Sequence, residues 1–179
     1  MKLKIKVKRI NKHLPFPTII DKGDWVDLRS SETVHLEAPQ AETLKRHIIN
    51  GEEVAHRDVS FDSKLIKLGI AMQLPKGFEA LVLPRSGTFK HFSITLANSM
   101  GVIDQSYCGD GDEWKFNAIA MEDTTIQEGS RICQFRIQLS QKATVWQKIK
   151  WLFSSGIEFV EVEDLNNKNR GGIGSTGIK

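Results

Sequence analysis

Hydrophobic and polar residues alternate in the sequence KLKIKVKRI, which occupies residues 2–10. Lysines separate Leu3, Ile5 and Val7, and a period of two places these apolar side chains on one face of a β-strand. Similar β-type runs recur at intervals of roughly ten residues, with turn sequences between them, which predicts an all-β sandwich or barrel. The further runs are KLIKLGIAMQL (64–74), EALVLP (79–84), FSITLA (92–97), FNAIAM (116–121), RICQFRI (131–137) and IEFVEVEDL (157–165), and the turns include PKG (75–77), GDGD (109–112) and EGS (128–130).

Two segments depart from this strand pattern. Residues 41–57, AETLKRHIINGEEVAHR, are charged and compatible with a helix, and they predict an insertion on the surface. Residues 141–155, QKATVWQKIKWLFSS, place Val145, Ile149 and Leu152 at helical spacing. We interpret this second segment as a helix that covers part of the barrel or forms a subunit contact. A membrane-surface or partner-binding helix is the alternative.

The C-terminal residues 166–179, NNKNRGGIGSTGIK, contain a literal G-x-G-x-x-G at 172–177. A dinucleotide-binding fingerprint needs a strand before it and a helix after it, and only two residues follow here. The segment therefore indicates a flexible glycine-rich arm in which backbone N–H groups, hydroxyls and Arg170 can surround phosphate oxygens. An unstructured tail is the alternative.

Composition narrows the class of protein without identifying it. The chain has 179 residues, of which 40% are apolar and 26% charged, as expected for one globular domain. Its formal charge of +3 is too small to indicate a nucleic-acid partner. Cys108 and Cys133 have neither disulfide-framework nor zinc-site spacing, so we expect a reduced, cytoplasmic setting. No run is long and apolar enough to predict a membrane segment.

Anion-binding chemistry is concentrated in three places. In PRSG at 84–87, Arg85 offers a planar fork of donors, and Ser86 and Gly87 allow backbone amides to approach an anion. GSRICQ at 129–134 adds Arg131 and Gln134. Together with the glycine-rich arm, these patches predict a polyphosphate ligand.

Five stretches follow one another in chain order: GDWVDLRS (23–30), PRSG (84–87), NSMGVIDQSYCGD (98–110), GSRICQ (129–134) and RGGIGSTG (170–177). They resemble the five motifs of the trimeric dUTPases (deoxyuridine triphosphate nucleotidohydrolases), in particular the form of Gram-positive bacteria and their phages. The resemblance implies a jelly-roll-like β domain over 1–165, with insertions at about 41–57 and 141–155, and a flexible C-terminal arm over 166–179. It also implies a homotrimer with shared active sites, Mg²⁺, and hydrolysis of dUTP to dUMP and pyrophosphate.

The resemblance also implies roles for the residues of the third motif. Asp104 matches the family's catalytic aspartate, which would orient the attacking water and take its proton. Tyr107 matches the ring that stacks on the deoxyribose and leaves no room for a 2′-hydroxyl. Uracil presents one donor between two acceptors, and we expect it to be bound by the Asn98 amide and by the backbone of Gly101, Val102 and Ile103.

The remaining motifs would hold the triphosphate. We expect Arg85, Ser86 and Gly87 to bind the α- and β-phosphates, and Gln134 to hold a phosphate or the attacking water. The γ-phosphate would be bound by four residues of an arm that is mobile without nucleotide and ordered with it, namely Arg170, Gly174, Ser175 and Thr176. Asp27 matches an aspartate that contacts magnesium through water. Its alternative role is that of a loop acid with local hydrogen bonds.

The chain departs from the family pattern at three places. Trp25 and Val26 stand where Gly-Tyr is usual, and Ile173 stands where a phenylalanine usually covers the uracil. Some members supply this lid from just after the third motif, where this chain has Trp114–Lys115–Phe116. His47 and His56 lack further ligands, so we interpret them as surface histidines.

Two other functions remain open at this point. One is dCTP deamination on a related fold. The other is a regulatory module whose nucleotide state controls a protein partner, bound through the insertions and especially through 141–155.

Overall fold

The structure is a computed structural model that describes residues 2–20 and 23–172. Strands dominate it, which confirms the predicted all-β class, and the helices are short. The strands are β1 Leu3–Arg9, β2 Val26–Arg29, β3 Val34–Leu36, β4 Gln40–Ala41, β5 Lys45–Ile49, β6 Glu52–His56, β7 Val59–Ser60, β8 Ser63–Lys67, β9 Ile70–Gln73, β10 Phe78–Pro84, β11 Ile94–Leu96, β12 Gly101–Asp104, β13 Lys115–Ala120, β14 Thr124–Ile126, β15 Arg131–Leu139 and β16 Ile157–Glu161. The helices are α1 Thr88–Phe92 and α2 Val145–Leu152.

A four-stranded antiparallel sheet positions the residues of the predicted site, and its strand order is β12-β10-β15-β2. Beside it lie two three-stranded sheets, β16-β1-β9 and β11-β13-β8. In the first of these, β1 pairs with β16 in parallel and with β9 antiparallel. Three two-stranded ladders, β14-β3, β4-β7 and β5-β6, complete the described strands.

The hydrophobic core lies between these sheets and follows the alternation seen in the sequence. Leu3, Ile5 and Val7 of β1 are buried, as predicted, while the intervening lysines are exposed. Trp114 and Phe135 meet edge to face in the core, with ring centroids 5.2 Å apart. Burial of such aromatic side chains provides much of the driving force for packing the sheets.

The helix suggested for residues 41–57 is wrong, because the segment forms a β-hairpin. β5 and β6 pair antiparallel across Asn50 and Gly51, which have φ values of 53° and 85°. Asn-Gly tolerates positive φ at both central positions of a two-residue turn, and this turn matches the twist of the flanking strands. The hairpin is exposed along both strands, so its placement on the surface agrees with the prediction.

The histidines of this hairpin are surface residues in the structure. The rings of His47 and His56 stack with centroids 4.8 Å apart. Within residues 2–20 and 23–172, no group of three His, Cys, Asp or Glu residues is placed to hold a metal ion.

The helix predicted within 141–155 is present as α2. Thr144 caps its N-terminus in a capping box with Gln147, whose side chain accepts from the Thr144 backbone N–H at 2.7 Å. Trp151 packs edge to face against Phe78, with centroids 5.3 Å apart. Trp146 and Leu152 point into solvent and are 79% and 77% exposed. Among the described residues, neither helix has the length and hydrophobicity that a membrane span requires.

Candidate active site

Residues of the first, second and fourth stretches meet at one end of β10. Asp27 on β2 faces Gln134 on β15, and Gln134 faces Leu83 on β10. One oxygen of Asp27 accepts from Arg85 Nε at 2.6 Å, and the other accepts from Arg131 Nη1 at 3.2 Å. We call Asp27, Arg85, Arg131 and Gln134 the arginine cluster. Sheet register therefore brings these predicted residues together.

The PRSG turn is fixed by a residue that the sequence reasoning missed. Thr88 is 1% exposed, and its hydroxyl accepts from the Arg85 backbone N–H at 2.8 Å and donates to the Ile132 carbonyl at 2.9 Å. A Cβ added to Gly87 would stand 3.0 Å from the ring of His91, so the turn is tightly packed. The only sequence signal for the role of Thr88 is its position directly after the turn glycine, Gly87. Ser86 lies exposed within the turn.

Asp104 lies at the end of β12 and is surrounded by hydrogen-bond donors. Its Oδ1 accepts from the Ser106 backbone N–H at 2.8 Å and from the Ser106 hydroxyl, and its Oδ2 accepts from Arg170 Nη1 at 2.6 Å. Burial alone would raise the pKa of this carboxyl. The Ser106 hydrogen bonds and the Arg170 charge outweigh burial and hold the Asp104 pKa below its usual range. The side chain is therefore ionised at neutral pH.

Tyr107 lies beside Asp104 and contacts the same C-terminal segment. Its hydroxyl donates to the Glu113 carbonyl at 2.9 Å. A Cβ added to Gly172 would lie 3.4 Å from the Tyr107 hydroxyl oxygen and 3.7 Å from a ring carbon, so the chain passes close to the ring. We call Asp104, Ser106, Tyr107 and Arg170 the aspartate cluster.

Asp110 and Asp112 hold residues 165–172, which we call the arm root. From the sequence, these two carboxylates are expected only to form part of the GDGD turn. Asp110 accepts from the backbone N–H groups of Leu165 at 2.8 Å and Asn166 at 3.2 Å. Asp112, which is 1% exposed, accepts from the backbone N–H groups of Arg170 at 2.9 Å and Gly171 at 3.2 Å. The sequence signal for holding the arm root is the pair of acids in GDGD, because carboxylates can accept from several backbone N–H groups.

The stretch predicted to bind the base lies at a sheet edge. In the four-stranded sheet, β12 pairs with β10 on one side, and no strand of residues 2–20 or 23–172 pairs with its other side. Val102 is exposed, Gly101 and Ile103 are half-buried, and Asn98 is exposed just before the strand. A Cβ on Gly101 would lie 3.3 Å from Val82, so the glycine allows a close approach to β10. The outer edge of β12 offers backbone donors and acceptors to a ligand.

The aromatic residues after the third stretch cannot act as a lid. Trp114 and Phe116 are completely buried, and Phe116 faces Ile66 across the ladder between β13 and β8. The period-two pattern through 114, 116, 118 and 120 is the sequence signal for this burial. The other lid position, Ile173, lies outside the described residues, as do the predicted phosphate ligands Gly174, Ser175 and Thr176.

The two clusters are well separated within one chain. Asp104 pairs with Glu79 near the start of β10, whereas Arg85 directly follows the last residue of that strand. Six residues of extended strand span roughly 20 Å, which is much longer than an arginine side chain. One copy of the chain therefore divides the predicted residues between two sites on its surface.

Comparison with protein families gives a match to the dUTPase model over residues 52–177. The SPbeta prophage-derived deoxyuridine 5'-triphosphate nucleotidohydrolase of Bacillus subtilis (strain 168) is 39% identical over 177 residues, which cover 99% of this chain and 100% of that protein. The deoxyuridine 5'-triphosphate nucleotidohydrolase of Hydrogenobaculum sp. (strain Y04AAS1) is 36% identical over 121 residues, covering 66% of this chain and 74% of that protein.

Solved structures agree on the fold. The dUTPase of Streptococcus mutans superposes with a TM-score of 0.58 at 15% identity, over 78% of this chain and 98% of that one. A mutant dUTPase from phage phi11 of S. aureus is described as coordinating a structural Mg(II) ion. It superposes with a TM-score of 0.56 at 18% identity, over 79% of this chain and 94% of that one. The dUTPase of Staphylococcus bacteriophage 80alpha is described among phage dUTPases that control transfer of virulence genes. It superposes with a TM-score of 0.56 at 19% identity, over 79% of this chain and 93% of that one. These matches establish the jelly-roll-like β fold.

Proposed function

Since this chain belongs to the dUTPase family, we propose that it hydrolyses dUTP to dUMP and pyrophosphate. The observation that carries this proposal is the Asp104 carboxylate, held by Ser106 and Arg170 beside Tyr107 at the end of an edge strand. A carboxylate kept ionised in such a place can act as a general base toward a bound substrate. The dCTP deaminase alternative has no comparable observation in its favour.

Asp104 orients one water molecule and takes its proton as the water oxygen attacks the α-phosphorus. A bond forms between that oxygen and phosphorus, the bond to the bridging oxygen of the β-phosphate breaks, and pyrophosphate leaves. The low pKa of Asp104 ensures that the base is deprotonated before attack. Ser106 and Arg170 restrict the carboxylate to one orientation, which favours attack from a single direction.

Recognition of deoxyuridine rests on the edge of β12 and on Tyr107. Backbone groups of Gly101, Val102 and Ile103, with the Asn98 amide, match the acceptor–donor–acceptor edge of uracil. Cytosine reverses part of this pattern, and an unmatched buried polar group costs about 1–3 kcal/mol. The Tyr107 ring stacks against the deoxyribose and excludes a 2′-hydroxyl.

The triphosphate lies on the arginine cluster. Arg85, with the backbone of Ser86 and Gly87, binds the α- and β-phosphates, and Gln134 holds a phosphate or the attacking water. The γ-phosphate is bound by residues of the arm, namely Arg170, Gly174, Ser175 and Thr176. Guanidinium groups suit this task because they bind phosphate oxygens in bidentate fashion.

Asp27 would help to hold a magnesium ion beside the triphosphate. Both of its oxygens already accept from guanidinium groups, so the residue suits contact with the ion through water better than direct ligation. A bound Mg²⁺ neutralises phosphate charge and aligns the triphosphate.

We propose that the chain assembles into a homotrimer with shared active sites, and the separation of the two clusters supports the sharing of sites between copies. Asp104 and Arg85 lie toward opposite ends of β10, an arrangement that favours a neighbouring copy as the source of one of them. We further propose a cytoplasmic setting, which suits the two free thiols Cys108 and Cys133.

A protein-binding role through 141–155 is the second candidate, and it would accompany catalysis. It is favoured by the exposed apolar side chains of α2 and its C-terminal cap, Val145, Trp146, Leu152 and Phe153. Deletion of 141–155 should then abolish partner capture and leave turnover intact. Loss of the trimer instead would assign the segment a structural role.

The test of the proposed activity measures pyrophosphate and ammonia release from dUTP and dCTP, for the wild type and Asp104→Asn. We expect pyrophosphate from dUTP, no ammonia from either nucleotide, and a decrease of roughly 10²–10⁴-fold in the variant, because the amide is not a base. Equal turnover by the variant would remove Asp104 from the mechanism. Ammonia release from dCTP would favour the deaminase alternative.

A further inference from the structure

Resting on the proposed protein-binding role of residues 141–155, we propose that α2 receives an acidic amphipathic helix of a partner protein. The partner helix places apolar side chains against the outward face of α2 and carboxylates along both borders of that face. The outward face consists of five residues that we call the apolar stripe: Val145, Trp146, Ile149, Leu152 and Phe153. Lys148 and Lys150 border the stripe.

The orientation of α2 is the reverse of that of an ordinary surface helix. A surface helix normally buries its apolar side against the core and turns its polar side to solvent. In α2, Gln147 and Trp151 are the partly buried residues. The members of the apolar stripe are between 39% and 79% exposed. The hydrophobic side of α2 is therefore available to a second molecule.

Helical geometry places a lysine on each border of the apolar stripe. At 3.6 residues per turn, each residue is rotated by about 100° from the one before it. The five members of the stripe then fall within an arc of about 120°, and Lys148 and Lys150 lie about 40° beyond its two edges. Both lysines are exposed. A ligand that covers the stripe therefore meets a cation on either side.

The chain around α2 has no acidic residue to neutralise these lysines locally. No Asp or Glu occurs from Gly129 to Ile157. The same stretch contains the basic residues Arg131, Arg136, Lys142, Lys148 and Lys150. Charge complementarity therefore favours a partner that is anionic beside its apolar contacts.

The chain holds α2 in a fixed position, which suits it for recognition. The capping box of Thr144 and Gln147 fixes its first turn. Gln147 also packs directly over Gly77, where an added Cβ would overlap its side chain. Trp151 packs against Phe78, with ring centroids 5.3 Å apart. Because the helix is already ordered, little of the binding free energy is lost in arranging the apolar stripe.

Two other occupants fit the surface less well. In a pair of α2 helices from two copies, the lysines of one helix would face those of the other, and like charges at an interface oppose association. A membrane would receive only five side chains from an eight-residue helix, and a single weak signal gives marginal membrane binding. A partner helix can pack along the whole stripe and place carboxylates opposite both lysines, as in coiled coils.

Synthetic helices of controlled charge test the proposal. Three labelled peptides of about three heptads carry leucine on one helical face and either glutamate, glutamine or lysine along both borders of that face. Each peptide is titrated with the full-length protein, and binding is measured by fluorescence anisotropy. The protein variants are Lys148→Glu with Lys150→Glu, and a matched control, Lys4→Glu with Lys6→Glu, which reverses two exposed lysines of β1. Circular dichroism and native mass spectrometry verify fold and assembly.

The expected result is an exchange of peptide preference. The wild type should bind the glutamate peptide at least about tenfold more tightly than the glutamine peptide, and the lysine peptide most weakly. Reversal of Lys148 and Lys150 should weaken the glutamate peptide by at least about tenfold and strengthen the lysine peptide, while the β1 control binds like the wild type. Equal affinities for the three peptides, or a glutamate peptide that ignores the reversal, would overturn the inference.

Two further measurements establish where the peptide lies. Binding of the glutamate peptide should shift tryptophan emission to shorter wavelength, and the shift should disappear in Trp146→Phe. Val145→Ser with Leu152→Ser should abolish binding, because it removes two exposed members of the apolar stripe. An unchanged affinity in this stripe variant would contradict the proposed location. Stripe-dependent binding of the wild type to vesicles of phosphatidylcholine and phosphatidylglycerol, without binding of the glutamate peptide, would assign α2 to a membrane surface instead.

The inference and the proposed functions fail in distinguishable ways. A wild type that binds the glutamate peptide but releases no pyrophosphate from dUTP would refute the proposed hydrolysis alone. Equally tight binding of the glutamine and glutamate peptides, lost in the stripe variant, would keep α2 as a docking site and refute an acidic partner. Loss of the trimer in the stripe variant would make α2 a contact between copies and refute the docking role as well. Reversal of Lys148 and Lys150 should leave dUTP turnover unchanged, because these lysines lie outside both clusters.

Discussion

The arginine cluster and the aspartate cluster are held in different ways. Asp27 and Gln134 lie on neighbouring strands of the four-stranded sheet, and Arg85 directly follows a third strand and is held by Thr88, so sheet register and one turn contact set their positions. Asp104 ends an edge strand, and Arg170 reaches it from a segment that follows the last strand. The first cluster depends on the fold, and the second depends on one chain segment docking on another.

This difference indicates which half of the site can open. Asp27 lies on the edge strand β2 and Gln134 on the interior strand β15, so disturbing the arginine cluster requires breaking the ladder between β2 and β15. The arm root is held by side-chain contacts to a turn, and segments of this kind open at a lower free energy than the core. We therefore expect binding and release of substrate to involve the aspartate cluster, while the arginine cluster remains a fixed platform for phosphate.

Among substitutions outside Asp104, that of Arg85 should have the largest effect. Each hydrogen bond to a charged group contributes about 1.5–3 kcal/mol, so Arg85→Ala should lower kcat/KM for dUTP by roughly 10²-fold or more. The melting temperature should change little, because Asp27 keeps its contact with Arg131. Arg136→Ala on the neighbouring strand β15 is the control, since that guanidinium lies over Trp25 outside the cluster, and its kcat/KM should match the wild type. Equal losses in both variants would contradict a specific phosphate platform.

Breaking the arm root should have an intermediate effect. Asp112→Asn replaces an acceptor oxygen by a donor amide, leaving buried N–H groups unpaired at about 1–3 kcal/mol. We expect faster hydrogen exchange at Arg170 and Gly171 and a fall in kcat/KM of roughly tenfold. Asp123→Asn, which affects an exposed carboxylate bonded to the Ala38 N–H, serves as the matched control. If exchange at the arm root stays unchanged, Asp112 does not hold it.

Ser106→Ala should shift the pH dependence. The folded-state pKa of Asp104 lies below its usual range, and removing the Ser106 hydroxyl raises it. Because the ionised carboxylate is the base, the acid limb of the kcat/KM profile should move to higher pH, by up to about one unit, while the rate above neutral pH stays unchanged. Ser106→Thr keeps the hydroxyl and should keep the wild-type profile. A lower rate at every pH, without a shift, would indicate a structural role instead.

A change in the surface hairpin should have the smallest effect on activity. Gly51 has a φ of 85°, so Gly51→Ala strains the turn and should destabilise the hairpin by about 1–2 kcal/mol. Hydrogen exchange over 45–56 should accelerate, while kcat/KM stays within twofold of the wild type. A large loss of turnover would tie the hairpin to one of the two clusters.

Much of the fold and the arginine cluster could be predicted from the sequence. The alternation of apolar residues and lysines in β1 predicts which side chains are buried. The first, second and fourth stretches lie in or next to β2, β10 and β15, which neighbouring ladders bring together. The hairpin at 45–56 was missed because the charged composition of 41–57 was given more weight than its Asn-Gly turn.

The aspartate cluster was harder to predict, because its contacts join residues far apart in the chain. Asp104 and Arg170 are 66 positions apart, and no local pattern specifies that they pair. The resemblance therefore predicts Arg170 as a γ-phosphate ligand, and the structure adds its contact with Asp104. The roles of Asp110 and Asp112 depend on where the chain passes after β16, which periodicity does not determine.

A crystal structure with a non-hydrolysable dUTP analogue and Mg²⁺ would test the central claim most directly. We predict that the analogue lies between Arg85 of one copy and Asp104 of another, with the Asp104 carboxylate within reach of a water in line with the α-phosphorus. An analogue bound far from Asp104, or one contacted by Arg85 and Asp104 of a single chain, would contradict this arrangement.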